Sequence, residues 1–135
     1  MEKTVYLAGK LNAGESAIAA FAGELENRGH TILEKWFEKG QLPTPYLDNL
    51  HSSAPVAAAM IEAAYTADVF ILFAENNIFG AAVELGAALG GTANNPGKKL
   101  YLLKPTVDFR QSVFYSDSHI TVVESLEEIR KADWF

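Results

Sequence analysis

Short apolar runs alternate along the chain with segments whose apolar residues recur every three or four positions. Thr4–Ala8 (TVYLA), Asp68–Phe73 (DVFILF), Lys99–Leu103 (KLYLL) and His119–Val123 (HITVV) have the length and continuity of strands, and Thr31–Phe37 reads as a weaker one. DVFILF is apolar without a break, as expected of a strand buried on both faces. Between the first two strands, Ala13–Arg28 places Ile18, Phe21, Ala22 and Leu25 at i, i+3, i+4 and i+7, and Gly29 stops the helix. A second helix is predicted from Ser53, with Pro55 in its first turn, to about Thr66. A third is predicted over Gly80–Gly91 and a last over Leu126–Lys131. The stretch Glu38–Ser52 carries two prolines and no clear period, and reads as a loop over the strand ends.

Alternation of β and α at these lengths implies a parallel sheet with helices on both faces. The expected fold class is therefore α/β: a single-domain, flavodoxin/Rossmann-like doubly wound sheet of about five strands in the order 2-1-3-4-5, spanning residues 1–135. Composition narrows the function classes. The chain has 135 residues and a formal charge of −6, with 49% hydrophobic and 21% charged residues. It carries no basic run, which argues against a duplex nucleic-acid partner, since phosphate contact needs clustered Lys and Arg. The absence of cysteine excludes disulfides, a thiol nucleophile and cysteine-ligated zinc, and agrees with a cytoplasmic protein. The N-terminal apolar stretch is too short for a signal peptide, and no run reaches transmembrane length, so no membrane partner is expected.

Glu84 is the strongest chemical signal. It is the only charged or polar side chain between Ile78 and Gly91 (IFGAAVELGAALGG), and a carboxylate on so apolar a helix is costly unless it is paired or faces a cavity. In parallel open sheets the ligand crevice lies beyond the strand C-termini where the strand order reverses, here between the first and third strands. Tyr6 near the end of the first strand, Gly9 just after it and Glu84 one turn into the third helix can converge there. The Gly9–Gly14 stretch superficially matches a phosphate-cradling loop, but Glu15 stands where that loop needs lysine. Asn12 and Glu15 fit a capping box that starts the first helix instead. Lys10 is the one cation in that loop that could meet a phosphate. His30, His51 and His119 have no metal-ligand spacing, so no metal site is expected.

Three stretches together, Val5-Tyr6-Leu7-Ala8-Gly9, Ala67-Asp68-Val69 and Gly80-Ala81-Ala82-Val83-Glu84-Leu85-Gly86-Ala87-Ala88, resemble the nucleoside 2-deoxyribosyltransferase superfamily, including its nucleotide N-glycosidase branch. The resemblance covers roughly residues 4–104. It implies cleavage or transfer of the N-glycosidic bond of a nucleoside or nucleotide, with Glu84 attacking the anomeric carbon and Tyr6 orienting its carboxylate. Such a carboxylate can hold the sugar as a covalent glycosyl-enzyme until water or a second base takes it. The expected binding shell is Gly9, Lys10 and Asn12 on the first loop with Asn76, Asn77 and Gly80; no cofactor is required. Two positions depart from the family. Met60 stands where it usually has an aspartate that contacts sugar and leaving base, and Ile78 stands where it has a second polar residue. Neither can carry a proton, so the alternative is a catalytically weak or inactive nucleotide-binding module on the same scaffold.

Two alanine-rich helices, one around Met60 and one over Gly80–Gly91, also exceed what a single sheet can cover. They predict a homodimer or higher homo-oligomer, and the resemblance implies the same.

Overall fold

The computed structural model describes residues 2–9, 15–74 and 79–135. Five parallel strands, β1 (Thr4–Ala8), β2 (Thr31–Ile32), β3 (Val69–Phe73), β4 (Lys99–Leu103) and β5 (Ile120–Val123), form one sheet in the order β2-β1-β3-β4-β5. This is the expected α/β architecture. The three central strands are the three longest apolar runs, and their residues are buried almost throughout. The edge strand β5 is the least covered: Thr121 and Val122 are exposed, Ile120 is half-buried and only Val123 is buried.

The helices are α1 (Glu15–Asn27), α2 (Leu50–Thr66), α3 (Phe79–Gly91), α4 (Val107–Arg110) and α5 (Leu126–Arg130). Phe70 and Phe73 lie three residues apart on β3 and so point to opposite faces of the sheet. The Phe70 ring stacks on Tyr6, whose hydroxyl reaches α3, while the Phe73 ring meets Phe21 of α1. Helices α1 and α3 therefore cover opposite faces. The predicted stripe Ile18, Phe21, Ala22 and Leu25 is the buried face of α1. Helix α5 begins with a capping box made by Ser125 and Glu128, and Arg130 ties it to Glu24 of α1.

Four expectations need correction. Strand β2 is two residues long, not Thr31–Phe37. The chain turns at Glu34, which has φ 45°, and Trp36–Glu38 forms a 3₁₀ turn with Trp36 and Phe37 buried. Their apolarity comes from packing against the sheet end, where the Trp36 indole N–H donates to Leu7 O at 2.7 Å. Helix α2 starts at Leu50 rather than Ser53, so Pro55 sits in its second turn, on an exposed side. The Glu38–Ser52 stretch is not an irregular loop throughout: Tyr46–Asp48 is a 3₁₀ turn, held to α2 by the Ser53 hydroxyl through the Tyr46 and Asn49 carbonyls. The short α4 and a 3₁₀ turn at Val113–Ser116 were not expected.

At the far end of α2 and α3 the helices approach closely. A Cβ on Gly91 would lie 2.1 Å from Tyr65 O, a separation only glycine permits. Buried Lys98 caps α2 there, donating to Ala64 O at 2.6 Å and Tyr65 O at 2.8 Å. Among the described residues no helix is long and apolar enough to cross a membrane.

Candidate active site at the end of the central strands

Helix α3 buries Ala81, Glu84, Leu85, Ala88 and Gly91, a single helical face, and Glu84 is the one carboxylate within it. The opposite residue is Tyr6. It is wholly buried on β1, and its hydroxyl donates to Glu84 Oε2. Burial pushes the Glu84 carboxyl up to about 7, against the Tyr6 hydrogen bond, which acts to lower it. The Tyr6 phenol is held far above its ordinary value by burial first, then by the Glu84 charge and hydrogen bond and by the more distant Glu34. Tyr6 is thus a fixed donor at any accessible pH. Glu84 is a carboxyl that exchanges its proton near neutrality.

Beyond Glu84 opens a cavity of about 600 Å³, within the range of small-molecule sites. Its walls come from the connection after β2, the first half of α2 and the start of α3. Trp36, Tyr46, Leu50, Met60 and Val83 give it a largely apolar surface, with Glu84 at one side. Lys39 also lines it and is ion-paired with Glu34.

Of the residues expected from sequence, Tyr6 and Glu84 are brought together, and Gly80 lines the cavity with open space where a side chain would be. Gly9 has a packing role: a Cβ there would lie 2.7 Å from the Ile18 Cδ1, so glycine lets α1 close over the end of β1. Lys10, Asn12, Asn76 and Asn77 lie outside the described residues, as do Ile78 and the proposed Asn12 end of the capping box. Met60, at the position where the resemblance implies an aspartate, does line the cavity. Asp68, part of the resemblance, stands at the opposite end of β3. It accepts from Thr4 N–H at 3.0 Å, Thr4 Oγ1 at 3.1 Å and Asn95 Nδ2 at 3.1 Å. Burial raises its carboxyl, but those hydrogen bonds outweigh burial and hold it below the ordinary range. Asp68 is structural.

Sequence reasoning missed Trp36, Lys39, Glu34 and Tyr46. The available signal was topological: with ligands expected beyond the strand C-termini, the long connection after β2 must form one wall. His30 is likewise part of the fold, its ring accepting from Lys3 N–H at 3.1 Å and donating to Phe135 O at 2.9 Å. Among the described residues no three His, Cys, Asp or Glu side chains group as metal ligands.

No known protein family, curated protein or solved structure matches the chain.

Proposed function

We propose that this chain cleaves or transfers the N-glycosidic bond of a nucleoside or nucleotide, in the manner of the nucleoside 2-deoxyribosyltransferase superfamily. The observation that carries the reading is the buried Glu84–Tyr6 pair beside a ligand-sized cavity at the strand C-termini. In its ionised form Glu84 would attack the anomeric carbon as the bond to the base breaks, with Tyr6 holding the other carboxylate oxygen in place. Anionic stabilisation of an oxocarbenium-like centre by a fixed carboxylate is the main demand of this chemistry. Water then releases the sugar in a hydrolase, or a second base takes it in a transferase. Gly9, Lys10, Asn12, Asn76, Asn77 and Gly80 complete the proposed binding shell, and the reaction needs no cofactor.

Assembly belongs to the same proposal. Leu47, Leu50 and Val83 are more than half exposed on the cavity wall. A second copy of the chain covering this apolar face would form a homodimer or higher homo-oligomer and narrow the cavity mouth. A cytoplasmic location fits the cysteine-free composition.

A second reading, a nucleotide-binding module without turnover, is favoured by Met60, because an apolar cavity wall assists binding more than proton transfer. Chromatography for free base after overnight incubation with a nucleoside and nucleotide panel separates the two. Base release lost in Glu84→Ala supports catalysis. Thermal stabilisation by a nucleotide without product supports the module, and release undiminished in Glu84→Ala removes Glu84 from the chemistry.

A further inference from the structure

A carboxylate that attacks a sugar works with a proton donor on the other side of the scissile bond. A neutral nucleobase departs as an anion unless it is protonated, and a positioned general acid contributes roughly 100- to 10,000-fold. The place of Tyr46 in the fold meets that need. Helices α2 and α3 run side by side from the ligand end of the sheet and touch where Gly91 meets Tyr65 O. Glu84 lies seven residues before Gly91, so it is level with Ala58, seven residues before Tyr65. Ser53 is five residues nearer the start of α2, about 8 Å along the axis. Its hydroxyl is directed at Tyr46 O at 2.9 Å and Asn49 O at 3.1 Å, which fixes the Tyr46–Asp48 turn at that level. Tyr46 and Glu84 line the same cavity. Tyr46 is 42% exposed, and its hydroxyl has no hydrogen-bond partner among the described residues. Other donors on or beside the wall are engaged: the Tyr6 hydroxyl by Glu84, the Trp36 N–H by Leu7 O and the Lys39 ammonium by Glu34. The Gln41 amide, also on the wall, can hydrogen-bond a base but has no proton to give up.

We infer that Tyr46 is a second catalytic residue, the acid that protonates the departing base and then the base that activates water. The inference rests on the N-glycosidic reading above and completes its chemistry. In the first step a Glu84 oxygen forms a bond to C1′ as the C1′–N bond breaks. The electron pair of that bond passes to the base, and the Tyr46 O–H proton goes to a ring nitrogen of the base. The base leaves neutral and Tyr46 is left as a phenolate. In the second step water enters from the side the base has left and attacks C1′, giving one proton to the Tyr46 phenolate. The bond from C1′ to Glu84 breaks and its electrons return to the carboxylate. Each turnover consumes one water, releases a free sugar and a neutral base, and restores both side chains. The proton that Met60 cannot carry on α2 comes in this chain from the connection that faces it across the cavity.

The test compares wild type with Tyr46→Phe on two kinds of leaving group, by chromatography of the released base. Adenosine and uridine, in ribo and 2′-deoxyribo forms, need a proton to leave. 1-Ribosylpyridinium and its 2′-deoxy form do not, because their ring nitrogen is already cationic and takes the electron pair directly. The quantity read is kcat/KM, which covers the steps up to departure of the base. Tyr46→Phe should lower the ratio of kcat/KM for the neutral nucleosides to that for the pyridinium compounds by at least roughly 100-fold, the contribution of one general acid. Pyridinium cleavage by the same variant reports that its fold and Glu84 are intact. Equal losses on both kinds of substrate, or no loss on either, would overturn the role of Tyr46 and leave the N-glycosidic reading standing. A wild type that cleaves adenosine or uridine but spares the pyridinium compounds would overturn it too. No release from any compound would overturn both readings.

Discussion

Replacing Glu84 by Gln should stabilise the protein, by an amount that depends on pH in a way only a buried carboxyl produces. The two side chains are nearly isosteric, and the Tyr6 hydroxyl can donate to the amide oxygen as it does to Glu84 Oε2. The difference between them is ionisation. Folding moves the Glu84 carboxyl from the ordinary 4.5 to about 7. Below about pH 4 it is protonated in both folded and unfolded chains and costs nothing. As pH rises past 4.5 the unfolded chain loses this proton first, so stability falls until the folded protein also ionises near 7, and then the loss is constant. At about 1.4 kcal/mol per pH unit the full loss is about 3 kcal/mol. Urea unfolding of wild type and Glu84→Gln at a series of pH values between 4 and 8 isolates the effect, because every other titrating group is common to both. The variant should match wild type within a few tenths of a kcal/mol at pH 4 and exceed it by about 3 kcal/mol at pH 8. A difference that does not change with pH, or a variant less stable at pH 8, would refute the reasoning that Glu84 is held in a poorly solvated site.

Tyr6→Phe removes the group that lowers the Glu84 carboxyl, so the pH midpoint of base release should move up by roughly one pH unit with the fold retained; an unmoved midpoint would remove Tyr6 from the site. Gly91→Ala should cost about 1–3 kcal/mol in urea unfolding, because its Cβ would lie 2.1 Å from Tyr65 O and 2.9 Å from the Lys98 ammonium. A change under about 0.5 kcal/mol would mean the two helix ends separate freely. Asp68→Asn should destabilise by about 1–3 kcal/mol through its contacts to Thr4 and Asn95, yet leave the KM and pH midpoint of base release unchanged. A shifted pH midpoint would give Asp68 a part in the chemistry that its place at the far end of β3 does not suggest.

What could be read from the sequence follows the strength of the local signal. TVYLA, DVFILF and KLYLL are buried on both faces, and their unbroken apolarity located β1, β3 and β4 within a residue. Glu84 stood out because burying a charge is expensive, so an acid in an apolar helix is informative, and it lies on the buried face as that cost demands. Tyr6 became legible through topology, which brings the end of β1 beside the start of α3. The connection after β2 was not legible. Trp36 and Phe37 are apolar because they pack over the end of the sheet from a 3₁₀ turn, and local pattern does not separate that from a continued strand. The early start of α2 was hidden because Pro55 was expected in a first turn, whereas the helix tolerates it on an exposed side one turn later. The pairing of Lys39 with Glu34 depends on the chain reversal at Glu34, a backbone event that composition does not announce.

Capture of the covalent intermediate tests the role of Glu84 most directly. The protein is incubated with nucleosides carrying a 2-fluoro-2-deoxy sugar, which slows release of a glycosyl-enzyme more than its formation, and the intact mass is measured and the adduct mapped by peptide fragmentation. The account predicts a gain equal to one fluorosugar residue, carried on Glu84 and absent in Glu84→Gln. Base release by wild type with no adduct, and undiminished in Glu84→Gln, would contradict it.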